Sequence, residues 1–268
     1  MRAIVPSGET VGVEGAVAVL TGGSSGIGAA VARRLADRGW RCVLLARGEE
    51  RLRAVADEIG AEWEVCDVAE REEVDGVAAR VLERHPRIAL LVNSAGIPGR
   101  TSFTQAEPER IERVIRVNYL GSVWSTRAFL PGLEAAAPAH VVNVVSVAGT
   151  VAGRAAGPYG ASKHAQLAFS RALAVELATR SIQVHTINPG FVETPGFPQS
   201  QLLEHPVLRH AVAEPELVAE RVVSAVERGV FETFVPRWYR TFAVLQAIAP
   251  GTLTRAQAAR RRRRKARG

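Results

Sequence analysis

Three residues in the middle of this 268-residue sequence are of types that together could move a proton and polarise a carbonyl: Ser146, Tyr159 and Lys163. Tyr159 and Lys163 are four residues apart, so on a helix they stand one above the other on the same face. A free phenol gives up its proton only near a pH of about 10. An ammonium one turn away stabilises the phenolate and brings that proton within reach of neutral chemistry. Ser146 precedes Tyr159 by 13 residues and closes an apolar run, His140–Ser146. A hydroxyl there could donate a hydrogen bond to a carbonyl or alkoxide oxygen. The residues between are small, which suits a compact loop that lets serine and tyrosine meet. Alone, a tyrosine near a helix start is packing and a lysine is a solvated charge; the joint spacing is what points to chemistry.

Short apolar runs alternate with helix-period stretches along the rest of the chain. Ala16–Thr21, Arg41–Ala46, Glu62–Cys66, Ala89–Asn93, His140–Ser146, Ile182–Asn188 and Val230–Val235 read as strands. Glu49–Ile59, Glu70–His85, Pro108–Glu134, Pro158–Arg180 and Pro215–Arg228 read as helices. Buried-type strands separated by helices predict an α/β fold, a Rossmann-type doubly wound parallel sheet of about seven strands with helices on both faces. Gly190–Glu214 is rich in Pro, His and Gln and is expected to be a long loop, a functional lid or disordered.

The first strand runs directly into Thr21-Gly22-Gly23-Ser24-Ser25-Gly26-Ile27-Gly28 and then a helix. Glycines permit a tight turn and close approach of backbone to a pyrophosphate, and the helix N-terminus offers it free N–H groups and partial positive charge. A Gly-rich turn alone is weak evidence. In the first strand–helix unit of a doubly wound sheet it points to a dinucleotide.

The spacing G-x-x-x-G-x-G, together with Ser146 and Tyr159-x-x-x-Lys163, resembles the short-chain dehydrogenase/reductase family over roughly residues 14–235. The other motifs that carry the resemblance are Asn93-Ser94-Ala95-Gly96, Asn118, and Asn188-Pro189-Gly190 with Thr194. The family usually has a second asparagine where Ser94 stands, a position expected to support the sheet. The resemblance implies a catalytic set of Asn118, Ser146, Tyr159 and Lys163, with Asn118 holding a water that relays protons from Lys163. It implies cofactor contacts from Gly22, Ser24, Ser25, Gly26, Ile27, Gly28, Asp67 (on the adenine), Val68, Asn93, Ala95, Gly96, Tyr159, Lys163 (on the nicotinamide ribose), Pro189, Gly190, Val192 and Thr194. It also implies a homodimer or homotetramer. Ala46 stands where the family's NAD users carry aspartate, and Arg47 follows. An acid there accepts from a ribose 2′-OH, whereas an arginine suits a 2′-phosphate, so NADP is expected over NAD.

After the last strand the chain departs from relatives that end in Val-Asp-Gly-Gly. Trp238, Phe242, Leu245 and Ala249 recur at helical spacing, and Pro250-Gly251 is expected to stop that helix. An apolar final helix resembles family members that act on steroids, retinoids or acyl lipids; packing on the body, or on a second subunit, is the alternative. From Arg255 onward there are eight Lys/Arg and no acid, and the remaining 26 bases stand against 27 acids. The high charge thus belongs to a tail, which argues against a nucleic-acid-binding body. The tail reads as a solvated, disordered segment, an anionic-membrane contact or a nucleic-acid contact. Cys42 and Cys66 have neither metal-ligand nor disulfide spacing, and no metal is expected. Residues 1–15 lack a secretory pattern and no apolar run reaches the ~18–20 residues of a membrane span. The expected organisation is an extension over 1–14, one domain over 15–235, an apolar helix over 236–254 and the tail over 255–268, in the cytoplasm with peripheral membrane contact left open. The expected function is an NADP-dependent oxidoreductase interconverting hydroxyl and carbonyl on a hydrophobic small molecule; the alternative is a non-catalytic dinucleotide sensor whose tail engages a partner.

Overall fold

Side chains along β1 (Val17–Thr21) divide between two cores, as a strand's period of two requires. Val17 and Val19 enter one, with Leu91, Phe129, Leu133 and Leu173; Ala18 and Leu20 enter the other, with Val31, Leu35, Leu44 and Val222. Both faces are covered, which is why the strands read as unbroken apolar runs rather than alternating ones. The computed structural model describes residues 14–99, 101–153, 157–206 and 208–265.

The expected seven-stranded sheet is present. Its strands are β1, β2 (Arg41–Ala46), β3 (Glu62–Val65), β4 (Leu90–Asn93), β5 (Ala139–Val144), β6 (Ile182–Pro189) and β9 (Glu232–Val235). They lie in the order β3-β2-β1-β4-β5-β6-β9, all parallel. The order reverses between β1 and β4, and that switch point opens a crevice at the carboxyl ends of the strands. The helices that frame it are α1 (Gly26–Ala36), α2 (Glu49–Ile59), α3 (Arg71–Arg84), α4 (Pro108–Ile115), α5 (Gly121–Ala136), α6 (Gly157–Leu177) and, after the short α7 (Ser200–Leu203), α8 (Pro215–Arg228). Pro108 and Pro215 start their helices, and Gly60 and Gly229 end α2 and α8 in the left-handed conformation.

Three expectations are corrected. The single helix expected over Pro108–Glu134 is interrupted by a π-helical turn, Arg116–Leu120, between α4 and α5. The long loop expected over 190–214 carries elements of its own among the described residues: β7 (Phe191–Val192) pairs in parallel with β8 (Val212–Ala213), with α7 between them. The disordered tail expected from Arg255 is instead helical through Lys265: α9 (Arg240–Ile248) does stop just before Pro250, as expected, but Pro250 also opens a further helix, α10 (Pro250–Lys265). Proline at the first helical turn gives up an N–H that has no intrahelical partner there, and alanine and arginine propagate the helix.

A buried histidine pair joins β5 to β6. His140 Nδ1 lies 3.1 Å from His185 Nε2, and His185 Nδ1 lies 2.8 Å from the Val230 carbonyl. A carbonyl only accepts, so His185 carries its proton on Nδ1, its Nε2 accepts, and His140 Nδ1 donates; both rings are neutral. Burial lowers the His140 pKa to about 4.

Candidate active site

The turn from β1 to α1 has no room for side chains at its four glycines, Gly22, Gly23, Gly26 and Gly28. A Cβ on Gly28 would sit 2.2 Å from the Gly22 carbonyl oxygen. One on Gly22, at φ +72°, would meet the Ala95 backbone at 2.9 Å, and one on Gly26, at φ +54°, would strike Thr194 at 2.9 Å. The backbone is therefore bare where an anion would approach. Ser25, before α1, makes no side-chain cap, and the first turn of α1 carries no acid. Its N–H groups and the positive end of the helix dipole remain for an outside acceptor. These features fit a dinucleotide pyrophosphate.

Lys163 is fully buried on α6. Its ammonium donates to the Val144 carbonyl at 3.0 Å and to Gln166 Oε1 at 2.7 Å, and lies 5.8 Å from the centre of the Tyr159 ring. Burial lowers its pKa to about 7. The expected stacking of Tyr159 and Lys163 on one helix face is thus present. Gly157, at φ +37°, lets α6 begin against the chain at Thr101, whose carbonyl oxygen would be 1.9 Å from a Cβ.

Ser146 follows β5 and is nearly buried. Its Oγ accepts from the Ala148 N–H at 3.1 Å and donates to the Pro189 carbonyl at 3.4 Å. Ser146, Tyr159 and Lys163 all line one cleft of about 790 Å³, whose wall continues through Gly190, Val192, Phe197 and Tyr239. Asn118 sits in the π-helical turn, wholly buried, and works as a clamp: Oδ1 accepts from the Ile97 N–H at 2.8 Å, while Nδ2 donates to the Ile97 carbonyl at 3.1 Å and to Ser162 Oγ at 3.0 Å. The extra residue of a π turn is a common device for aiming such a side chain.

Other expected cofactor residues are distributed less evenly. Ile27, Gly96, Pro189 and Thr194 line the cleft, whereas Val68 packs in the core against Gly121. Asn93 is also turned inward: its Nδ2 donates to Asn143 Oδ1 at 2.9 Å and Thr126 Oγ1 at 3.1 Å. Its side chain ties β4 to β5 and α5 instead of facing a ligand. Ser94, expected to support the sheet, lines the cleft, and its N–H reaches Thr21 Oγ1 at 3.2 Å. Arg47 leaves the end of β2 with its head exposed, 3.9 Å from Asp67, whose carboxylate also meets Arg113.

Two site residues had no signal in the sequence. Gln166, wholly buried, links Lys163 to Ser122 Oγ through a 2.8 Å bond. Tyr239 is held in the cleft wall by Gly190, where a Cβ would lie 2.2 Å from its ring.

The short chain dehydrogenase family model matches residues 16–202. The chain belongs to that family. Bovine dehydrogenase/reductase SDR family member 7B is 30% identical over 269 residues, covering 94% of this chain and 83% of its own length. A solved structure of actinorhodin polyketide ketoreductase with NADPH is 32% identical, covers 82% of this chain and 95% of its own, and superposes with a TM-score of 0.74. A short-chain dehydrogenase/reductase from Burkholderia phymatum in complex with NAD is 26% identical, covers 90% and 96%, and gives a TM-score of 0.79. The family's members are oxidoreductases that use NAD(P), and this chain is an enzyme of that class, acting on CH–OH and C=O groups.

Proposed function

We propose that this short-chain dehydrogenase is an NADP-dependent oxidoreductase that interconverts a hydroxyl and a carbonyl on a hydrophobic small molecule, steroid-, retinoid- or lipid-like. The observation that carries the reading is the convergence of Ser146, Tyr159 and Lys163 on one largely apolar cleft beside the glycine turn. A non-catalytic sensor would need the turn but has no use for this triad.

When bound, the nicotinamide supplies or accepts a hydride at the substrate carbon. Gly22, Gly26 and Gly28, with the N-terminus of α1, would hold the pyrophosphate, and Lys163 the nicotinamide ribose. Arg47 would meet the 2′-phosphate; its exposed guanidinium is free to turn from Asp67 toward a stronger anion. Ser146 donates its hydroxyl proton in a hydrogen bond to the substrate oxygen and fixes it toward Tyr159. In reduction, the Tyr159 hydroxyl gives its proton to that oxygen as negative charge develops there. The resulting phenolate is stabilised by Lys163, which is poised to lose and regain a proton near neutral pH. Asn118 keeps the Ile97 strap and α6 in register so that the ammonium stays under the phenol.

Phe191, Phe197, Leu202 and Tyr239 give the outer cleft its apolar wall, which suits a substrate with a hydrocarbon body. A homodimer or homotetramer is part of the proposal: α5 and α6 leave a surface groove lined by the half-buried Trp124 and Phe169, which a second copy would cover. A panel of aldehydes and ketones of increasing apolar bulk, with NADPH and NADH in parallel, tests the reading. Catalytic efficiency should rise with apolar bulk and favour NADPH; activity confined to small polar carbonyls, or equal use of NADH, contradicts it.

A further inference from the structure

We infer that α9 and α10 form a docking surface for an anionic lipid bilayer at the mouth of the cleft. The first observation is apolar. Trp238, Phe242, Val244, Leu245 and Ile248 are all exposed, Ile248 to 77%, and α9 buries none of its residues. At 100° per residue, Phe242, Val244, Leu245 and Ile248 fall within less than half the circumference of α9. These large apolar side chains lie in solvent and belong to neither core.

The second observation is charge. α10 follows at once, exposes Arg255, Arg260, Arg262 and Arg263, and continues a run of eight basic residues without an acid. Among the described residues none of these four arginines is paired with a carboxylate. One weak signal does not hold a protein on a membrane, but an inserted apolar face beside a basic cluster supplies the two that are needed. Nucleic acid would satisfy the arginines and leave the apolar face in water, so the bilayer is the occupant that uses both.

The third observation is position. Trp238 stacks on Tyr239 in the cleft wall, with ring centres 4.1 Å apart, and Gln257 of α10 donates to the Ala152 carbonyl at the rim at 3.2 Å. Docking would therefore bring the mouth to the membrane surface, where a hydrophobic substrate partitions. The surface itself does not depend on the proposed reaction, and the experiment reads it without substrate.

Full-length protein is sedimented with vesicles of phosphatidylcholine alone and of phosphatidylcholine mixed with phosphatidylserine, at increasing salt. Binding to the mixed vesicles should exceed binding to neutral ones by at least about tenfold at low salt and be screened away as salt rises. The Trp238 emission should shift to the blue on binding, a component absent from Trp238→Phe. Arg260→Gln/Arg262→Gln/Arg263→Gln and, separately, Phe242→Ser/Leu245→Ser/Ile248→Ser should each lower partitioning by about tenfold or more. Both variants change exposed side chains only, and unaltered thermal unfolding establishes that each is folded. Equal binding to neutral and anionic vesicles, or wild-type binding by the apolar variant, overturns the inference. So does saturation by a nucleic acid under conditions in which the vesicles are ignored.

Discussion

Lys163 sits where burial and hydrogen bonding oppose each other. Burial favours its neutral form, while the Val144 carbonyl and Gln166 Oε1 favour the ammonium. Gln166→Leu removes one acceptor of a charged donor, worth about 1.5–3 kcal/mol. Lys163 should then lose its proton at lower pH, leave the Tyr159 phenolate less stabilised, and move the rise of alcohol oxidation to higher pH. Turnover at neutral pH should fall on the order of tenfold or more with NADPH affinity retained, and Gln166→Glu, which keeps an acceptor, should restore much of it. An unchanged pH profile in Gln166→Leu would remove Gln166 from the positioning of Lys163. The spacing of Tyr159 and Lys163 was legible because helix geometry is local. Gln166 was not, because a glutamine three residues on reads as a solvated helix position until the fold buries it against α5. Asn93 misled for a related reason: a motif names a residue without saying which way its side chain turns.

At the scale of elements, the proposed preference for NADP rests on the end of β2. Arg47→Asp should shift the NADPH/NADH ratio of kcat/KM toward NADH by about tenfold or more, since a charge-assisted bond to a 2′-phosphate becomes repulsion while a ribose 2′-OH gains an acceptor. A change within about twofold contradicts the assignment. The β5–β6 histidine pair makes a separate prediction about stability. Unfolded, His140 titrates near about 6.5; folded, burial holds it at about 4. Between those values the unfolded chain takes up a proton that the folded chain excludes, so stability is full above pH ~6.5, falls toward pH ~4 and levels off below. Denaturant midpoints should drop across that window, and His140→Asn, which keeps a donor for His185, should flatten the drop. The sequence announced the strands and most helices because both sheet faces are buried. It hid the π turn, which keeps helical periodicity, and it showed Pro250 as a stop without showing that the same proline opens the next helix.

The whole molecule couples a rigid sheet, which holds the reacting groups, to a rim made from 190–214 and the C-terminal helices. Deleting residues 255–268 should leave the fold and the Tyr159 chemistry intact, because α10 contributes nothing to either core. It also removes the Gln257 contact with Ala152, so KM for bulky substrates should change by a few-fold while kcat for small ones holds. Loss of folding would show that α10 carries more of the structure than its exposure allows. The central claim is that Tyr159 is the proton donor of an NADPH-dependent carbonyl reductase, and Tyr159→Phe tests it most directly. Measured on the best ketone of the panel, with NADPH affinity determined separately, this variant should bind NADPH as wild type does and lose turnover by about a hundredfold or more. Wild-type turnover with NADPH binding intact would contradict the account.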